Sequence, residues 1–402
     1  MKVALVGPFP PQHKGEAEYL QRSSEALASF LPLEDIEVVS QYETQPSVEH
    51  SNGLLVRRAI FDRTKRPSYA PQHELPRAVI ESGADIVHVH FGPNQDYGGR
   101  LGEPLVGALR TLRRRGIKIV LTLHSQWKPN DVIRSAPALR FPAFVRPLIV
   151  RYFGRFMRRL RASCDAFLCV VSTPHSPLVT EFAHAYGLHD VGEELFSCAI
   201  DFSPVPQNAE PLIFSFGFLR PEKGFEVLIE AFLKHRNRGG AGKLLIAGAP
   251  LGDEDRRYAR MLRTFAAGHA SIEVLESYLA DEDIAWHLRS CSVFVLPYLR
   301  AIGSSAPLHK ALGFGRPIIA SAVGHNATLG SAVNLVPPAS SDALANELSR
   351  LLAIPGALED AAERARAAAI ERSAERVASE QYQLYTRLLS SSANDGGNQR
   401  VN

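Results

Sequence analysis

The sequence is poor in the residues that would tie it to an oxidising compartment or to a metal. Its 402 residues include four cysteines, Cys164, Cys169, Cys198 and Cys291. These show neither paired metal-ligand spacing nor a dense disulfide framework, and a reducing compartment fits such usage best. Long apolar runs are missing too: none approaches the ~20 residues needed to span a bilayer. Met1–Val6 runs straight into Gly7-Pro8-Phe9-Pro10-Pro11, which reads as a first strand and its loop, not as a secretion signal. The expectation is a cytoplasmic protein whose contact with a membrane would be peripheral. Overall charge is also small, +3 in total, so no polyelectrolyte role follows. No motif for reading nucleic acid is present, and no Asp-x-Asp motif is positioned to hold a metal.

What remains is an ordinary globular composition, 45% hydrophobic and 22% charged. The length suggests two domains, each able to bury a core. Short apolar runs read as buried strands at Val3–Val6, Ile86–Val89, Ile119–Leu123 and Ala166–Val171. A second group follows at Leu212–Phe216, Lys243–Ala247, Val293–Leu296 and Pro317–Ala320. Each is followed by Gly, Pro, Ser or His. Helical periods lie between them, such as Phe225, Leu228, Ile229 and Phe232. Strands alternating with helices predict an α/β fold with doubly wound parallel sheets, whose ligands gather at the carboxyl ends of strands.

The proline-rich stretch Cys198–Pro211 separates the two groups and reads as a linker. The expected division is residues 1–203, residues 204–373, and a helix over 374–389 that crosses back to the first domain. The tail 390–402, without large apolar residues, is expected to be disordered.

Two motifs in the second half could carry chemistry. In Phe214-Ser-Phe-Gly217-Phe-Leu-Arg220-Pro-Glu-Lys223-Gly224, a strand ends at a glycine, two cations follow, and a helix begins. Free N–H groups at a helix start, beside Arg220 and Lys223, suit a diphosphate. An ordinary solvated loop is the plainer reading. About 80 residues later comes Val295-Leu-Pro297-Tyr298-Leu-Arg-Ala-Ile-Gly303-Ser304-Ser305-Ala-Pro307. Here Ser304 or Ser305 can cap the helix that Pro307 opens, and the loop can hold further phosphate oxygens. A simple capped helix is the plainer reading here too.

Taken in order, with Ile272-Glu-Val-Leu-Glu-Ser-Tyr278-Leu279 between them and Gly315-Arg-Pro317-Ile-Ile-Ala-Ser321 after them, these motifs resemble the donor half of glycosyltransferase family 4. The first half is similar as well. Pro8-Phe9-Pro10-Pro11 with Lys14-Gly15 and Tyr19 resembles the family's first loop. Asp85-Ile-Val-His88-Val-His90 resembles its strand-end histidines, and Thr122-Leu-His124 its Thr-x-His. The resemblance runs from Val3 to about Leu389. It implies a GT-B architecture, two Rossmann-like domains facing across a cleft. It also implies retaining transfer from a nucleotide-sugar, which is a co-substrate, so that no cofactor and no metal are expected.

The site residues carried over are His124 at the sugar, with His88 and His90 supporting it. Gly15, Arg220, Lys223, Gly303, Ser304 and Ser305 fall at the donor phosphates, and Tyr278, Leu279 and Lys310 near the nucleotide and ribose. Two glutamates usual in the family are replaced here by Ile302 and Lys310, and the arginine usual after the first glycine by Phe218. The replacements leave a second reading open, that of a catalytically degenerate relative serving as partner to another transferase.

Between Arg100 and Arg161, fifteen Lys or Arg face two acids, Glu103 and Asp131. The segment Arg151-Tyr-Phe-Gly-Arg155-Phe-Met-Arg158-Arg159-Leu-Arg161 mixes cations with apolar residues. Expected partners are therefore a nucleotide-sugar, a sugar or lipid-linked acceptor, and an anionic membrane surface met through Arg100–Arg161. A solvated basic helix face is the alternative.

Overall fold

A computed structural model describes residues 1–397 apart from 13–14, 43, 62–68, 94–96, 100, 135–140, 207–209 and 302. Lys14, Arg100, Arg140 and Ile302, named above, lie outside the described residues. The chain forms two compact units: Met1–Ser197 together with Ala374–Asn402, and Cys198–Ser373.

The first unit is built on eight strands: β1 Val3–Val6, β2 Ile36–Tyr42, β3 Ser47–Ser51, β4 Leu54–Phe61, β5 Ile86–Phe91, β6 Lys118–Leu123, β7 Ala166–Val171 and β8 Val191–Leu195. They lie in the order β3-β4-β2-β1-β5-β6-β7-β8. All neighbours are parallel except β3 and β4, which form an antiparallel hairpin. Its turn is Asn52-Gly53, both at positive φ, the dipeptide that best tolerates a tight hairpin turn. Strand order reverses between β1 and β5, so the loops leaving these strands diverge and open a crevice at their carboxyl ends.

The second unit adds β9 Leu212–Phe216, β10 Lys243–Ala247, β11 Ile272–Leu275, β12 Val293–Leu296, β13 Ile318–Ser321 and β14 Asn334–Val336. Their order is β11-β10-β9-β12-β13-β14, all parallel. The reversal here falls between β9 and β12, the strands that carry the two phosphate-type motifs. Near-continuous apolar runs such as Val-Phe-Val-Leu in β12 are buried on both faces by helices, as parallel sheets require.

The boundary falls at Ser197, earlier than the expected residue 203, because the start of the linker is held by the second unit. Cys198 N–H donates to Arg372 O at 2.8 Å and Asp201 N–H to Gly313 O at 2.9 Å. The buried guanidinium of Arg316 donates to the carbonyls of Ser203, Pro204 and Phe314. The arginine of the Gly-Arg-Pro motif is thus a clamp on the linker.

The last helix, Ala374–Gly397, packs on the helix Gly15–Leu27 within the first unit. Its Tyr385 is fully buried among Val3, Leu5, Leu20 and Leu27. Burying an aromatic ring of that size stabilises by about 2 kcal/mol. The helical backbone runs on to Gly397, past Leu389, where order was expected to end. Ser, Ala, Asn and Asp there extend a helix already nucleated by packing.

Candidate functional site

The crevice of the first unit is lined by aromatic and imidazole rings. His88 and His90 alternate with Val87 and Val89 on β5, so both rings point to one face of the sheet. They stack with centroids 4.5 Å apart. His124 follows β6 and anchors its N–H on Phe91 O at 2.8 Å. Its Nε2 meets His90 Nδ1 at 3.1 Å, and its ring stands edge-on to Tyr19, 5.0 Å away.

A buried carboxylate organises the rest. Glu194 on β8 accepts from the Tyr19 hydroxyl at 2.5 Å, from Thr122 at 3.2 Å and from Gln381 Nε2 at 3.3 Å. Thr122 spends its one proton on Glu194, so His88 Nε2, 2.7 Å from Thr122 Oγ1, must be the donor there. His88 Nδ1 is then the acceptor for the Tyr385 hydroxyl, 2.6 Å away.

Burial holds all three histidines neutral. It lowers His88 and His124 to about 3 and His90 well below its ordinary value, with mutual repulsion adding to the shift at His88 and His90. Burial raises the Glu194 carboxyl, against the pull of its three donors. His124 therefore offers a neutral ring and no positive charge. Sequence reasoning found the histidines but missed Glu194, Gln381 and Tyr385. An acidic pair at the end of a strand, Glu193-Glu194, was the available signal.

His88, His90 and Glu194 are the one group among the described residues whose ligand atoms, all within 4.8 Å of one another, could surround a metal. Nearly all of those atoms are already hydrogen-bonded to Tyr385, Thr122, His124, Tyr19 and Gln381. The exception is His90 Nε2, which is buried and without a partner.

In the second unit the two motifs converge at the β9/β12 reversal. Lys223 lies at the end of the single 3-10 turn Pro221–Lys223. Its Nζ stands 3.8 Å over the ring of Tyr298. The Tyr298 hydroxyl meets Ser305 Oγ at 3.1 Å. Gly217 faces the same place: a Cβ there would come within 4.0 Å of the Tyr298 hydroxyl and 3.9 Å of Pro307. Gly224, at φ +65°, lets the loop turn into the helix Phe225–Asn237 against β12; a Cβ would sit 2.3 Å from Pro297 O. Lys223, Ser305 and the starts of the helices Phe225–Asn237 and Ala306–Gly313 thus belong to one anion-friendly corner.

The other expected residues are disposed differently. Ser305 occupies the N-cap position of Ala306–Gly313 but makes no capping bond; its hydroxyl is drawn to Tyr298 instead. Ser304 and Gly303 are half-buried in the same loop. Arg220 faces two carboxylates, Glu222 at 3.2 Å and Asp255 at 3.7 Å, so part of its charge is met within the protein. Lys310 pairs with Asp281 at 2.5 Å, tying its helix to the residues just after Tyr278 and Leu279. Tyr278 is exposed and Leu279 partly buried. Gly15 is the exposed first residue of its helix, followed by Glu16 and Glu18.

Two family descriptions divide the chain as the fold does. "Glycosyltransferase Family 4" matches residues 21–174, and "Glycosyl transferases group 1" matches residues 210–353. The first half of the chain is thus similar to family 4 glycosyltransferases and the second half to group 1 glycosyltransferases. Solved structures identify the architecture. Sucrose-phosphate synthase from Thermosynechococcus elongatus is 20% identical and superimposes with a TM-score of 0.72, covering 97% of this chain and 100% of the other. The UDP-forming trehalose-phosphate synthase from Burkholderia xenovorans, bound to glucose-6-phosphate, is 13% identical with a TM-score of 0.66, covering 95% and 99%. The fold is GT-B.

Curated relatives include an MMP α-(1→4)-mannosyltransferase of Mycolicibacterium hassiacum, 27% identical over 275 residues. That match spans 65% of this chain and 63% of the relative, just under two thirds of its length. A GDP-mannose:glycolipid 4-β-D-mannosyltransferase of Xanthomonas campestris pv. campestris is 24% identical over 264 residues, 64% of this chain and 67% of the relative.

Proposed function

We propose that the protein moves a hexose from a nucleotide-sugar donor to a saccharide, small-molecule or lipid-linked acceptor. The observation that carries this reading is the convergence of Lys223, Tyr298, Ser305 and two helix starts at the strand reversal of the second unit. A diphosphate leaving group needs its growing negative charge met. One fixed cation and the N-terminal end of the helix Ala306–Gly313 can meet it without a metal; at the other helix start the Phe225 N–H is already given to the Tyr258 hydroxyl, 2.9 Å away. Retention is part of the proposal. The C1–phosphate bond breaks as the acceptor oxygen bonds C1 from the same face, and the acceptor proton passes to the departing diphosphate. His124, neutral at pH 7, would contribute a hydrogen bond to the sugar and no charge to the phosphate.

The named relatives make GDP-mannose the first donor to try. Their names include both an α and a β product, so the anomeric outcome must be measured. The purified chain should be stabilised by its donor, by about 2.7 kcal/mol at 100 times the dissociation constant. It should transfer the sugar with unchanged rate in EDTA, giving a product whose anomeric proton coupling matches the donor's. If no nucleotide-sugar stabilises the chain or is consumed, the proposal fails.

A further inference from the structure

The helix Arg146–Arg161 buries Phe153, Phe156, Met157 and Leu160 against the first unit and turns a two-part stripe to solvent. At its beginning the stripe is apolar. Phe144 is 83% exposed, Leu148 64% and Tyr152 49%, with Phe141 close by at 41%. Spacing of four residues sets Leu148 and Tyr152 on one line of the helix, and Phe144 lies in the 3-10 turn Ala143–Val145 just before it. Further along, the same face carries Arg151, Arg155 and Arg159, all exposed.

Other cations of the basic stretch are used within the unit. Arg158 donates to Tyr186 O and Arg113 to Ala162 O. Lys118, Lys128 and Arg161 pair with Asp165, Glu181 and Asp190. The stretch is thus partly balanced by acids beyond it; Arg151, Arg155 and Arg159 stand beside the apolar line, while Arg110, Arg114 and Arg115 are exposed at the helix Pro104–Arg114. No acid occurs in residues 141–161.

Beside the line runs a groove of about 470 Å³ floored by Leu101, Trp127, Val132, Ile149 and Phe153. That volume is in the range of pockets that hold small apolar ligands. Its one carboxylate among the described residues, Glu103, accepts from the Tyr152 hydroxyl at 2.8 Å and from Leu101 N–H at 2.9 Å.

We infer that this stripe docks the first unit on an anionic lipid bilayer and that the groove takes up one hydrocarbon chain; the inference deepens, and rests on, the lipid-linked acceptor proposed above. An apolar wedge with arginines along the same helix face matches the boundary between acyl chains and anionic headgroups. An acidic protein partner would use the arginines but leave the exposed Phe144 and Leu148 without purpose.

Trp127 lies in the groove, and the other tryptophan, Trp286, is on the second unit, so Trp286→Phe leaves a single reporter. The full-length Trp286→Phe chain is mixed with phosphatidylglycerol vesicles bearing brominated acyl chains, and with neutral vesicles brominated alike. We expect co-flotation with the anionic vesicles and quenching of Trp127 by their bromines, with little of either for the neutral ones. Replacing Arg151, Arg155 and Arg159 with Gln should weaken partitioning roughly 100-fold, about fivefold per charge. Phe144→Ser with Leu148→Ser should weaken it and abolish the quenching.

Flotation without quenching would overturn the groove's role. No flotation would overturn the docking. A concentration-dependent dimer that Phe144→Ser with Leu148→Ser dissolves would assign the stripe to a second copy and overturn the lipid reading. The thermal response to nucleotide-sugar, measured without vesicles, reports separately on the transferase proposal.

Discussion

Lys223 stands over the ring of Tyr298, 3.8 Å from its centroid, while the hydroxyl of that same ring reaches Ser305. The ring joins the two phosphate-type motifs and presents the ammonium from a fixed position. Cation and ring attract by about 0.5–1 kcal/mol at such partly exposed sites, enough to preset a flexible lysine.

Lys223→Ala should therefore weaken nucleotide-sugar binding by about 1.5–3 kcal/mol, the worth of a charge-assisted contact. Arg220→Ala should cost less, because Glu222 and Asp255 already hold that guanidinium. Calorimetric titration of both variants decides the order. Parent-like affinity in Lys223→Ala would move the diphosphate elsewhere.

Stability should fall as the pH drops below neutrality. His88 and His124 ionise at about 3 in the fold and near 6.5 when unfolded. Between those values the unfolded chain binds more protons, so stability is complete above about pH 6.5 and is lost progressively toward pH 3. At pH 5 each histidine accounts for about 2 kcal/mol of that loss. Glu194, raised by burial, acts in the opposite sense and offsets part of it at the acid end. Urea midpoints at pH 7.5 and pH 5 test this, and His124→Gln should flatten the dependence.

Tyr385→Phe should destabilise the first unit by about 1–3 kcal/mol, the cost of an unpaired buried acceptor at His88 Nδ1. Glu194→Gln should do at least as much, since an amide cannot accept from Tyr19, Thr122 and Gln381 as a carboxylate does. Thermal unfolding of the two variants and their double mutant should show non-additivity, because all these groups share one network.

Gly224→Ala should be far more damaging than a surface glycine change. The residue sits at φ +65°, and the new methyl would meet Pro297 O at 2.3 Å. We expect a loss of more than 1 kcal/mol together with weakened donor binding, since Lys223 precedes the strained turn. A variant that matched the parent in both would show that the loop yields freely.

Much of this was legible in the sequence. Apolar runs such as Val-Phe-Val-Leu before Pro297 mark strands buried on both faces, and they fixed the parallel core and its ligand-binding ends. Some strands left unread do not look buried: Ser47–Ser51 is almost wholly exposed, and Val191–Leu195 carries two glutamates; Ile36–Tyr42 and Leu54–Phe61 were missed although polar residues only interrupt their apolar runs. Histidines at strand ends announced themselves through neighbouring β5 and β6. Glu194 did not, since an acid in a strand ordinarily argues for solvent, and here three donors from distant segments reverse that preference. Tyr385 and Gln381 come from the other end of the chain, where no local pattern relates them to His88. The partners of Lys310 and Arg220 were equally invisible, because ion pairing depends on which loops the sheet brings side by side.

The first unit takes its final ring, Tyr385, from the far side of Cys198–Ser373, and this inverts the usual order of assembly. As the chain leaves the ribosome, every strand of the second unit is delivered before the tyrosine that pairs with His88. Domains ordinarily complete themselves in the order of synthesis. Here the portion begun first is finished last, and the histidine network closes only when translation reaches its final helix.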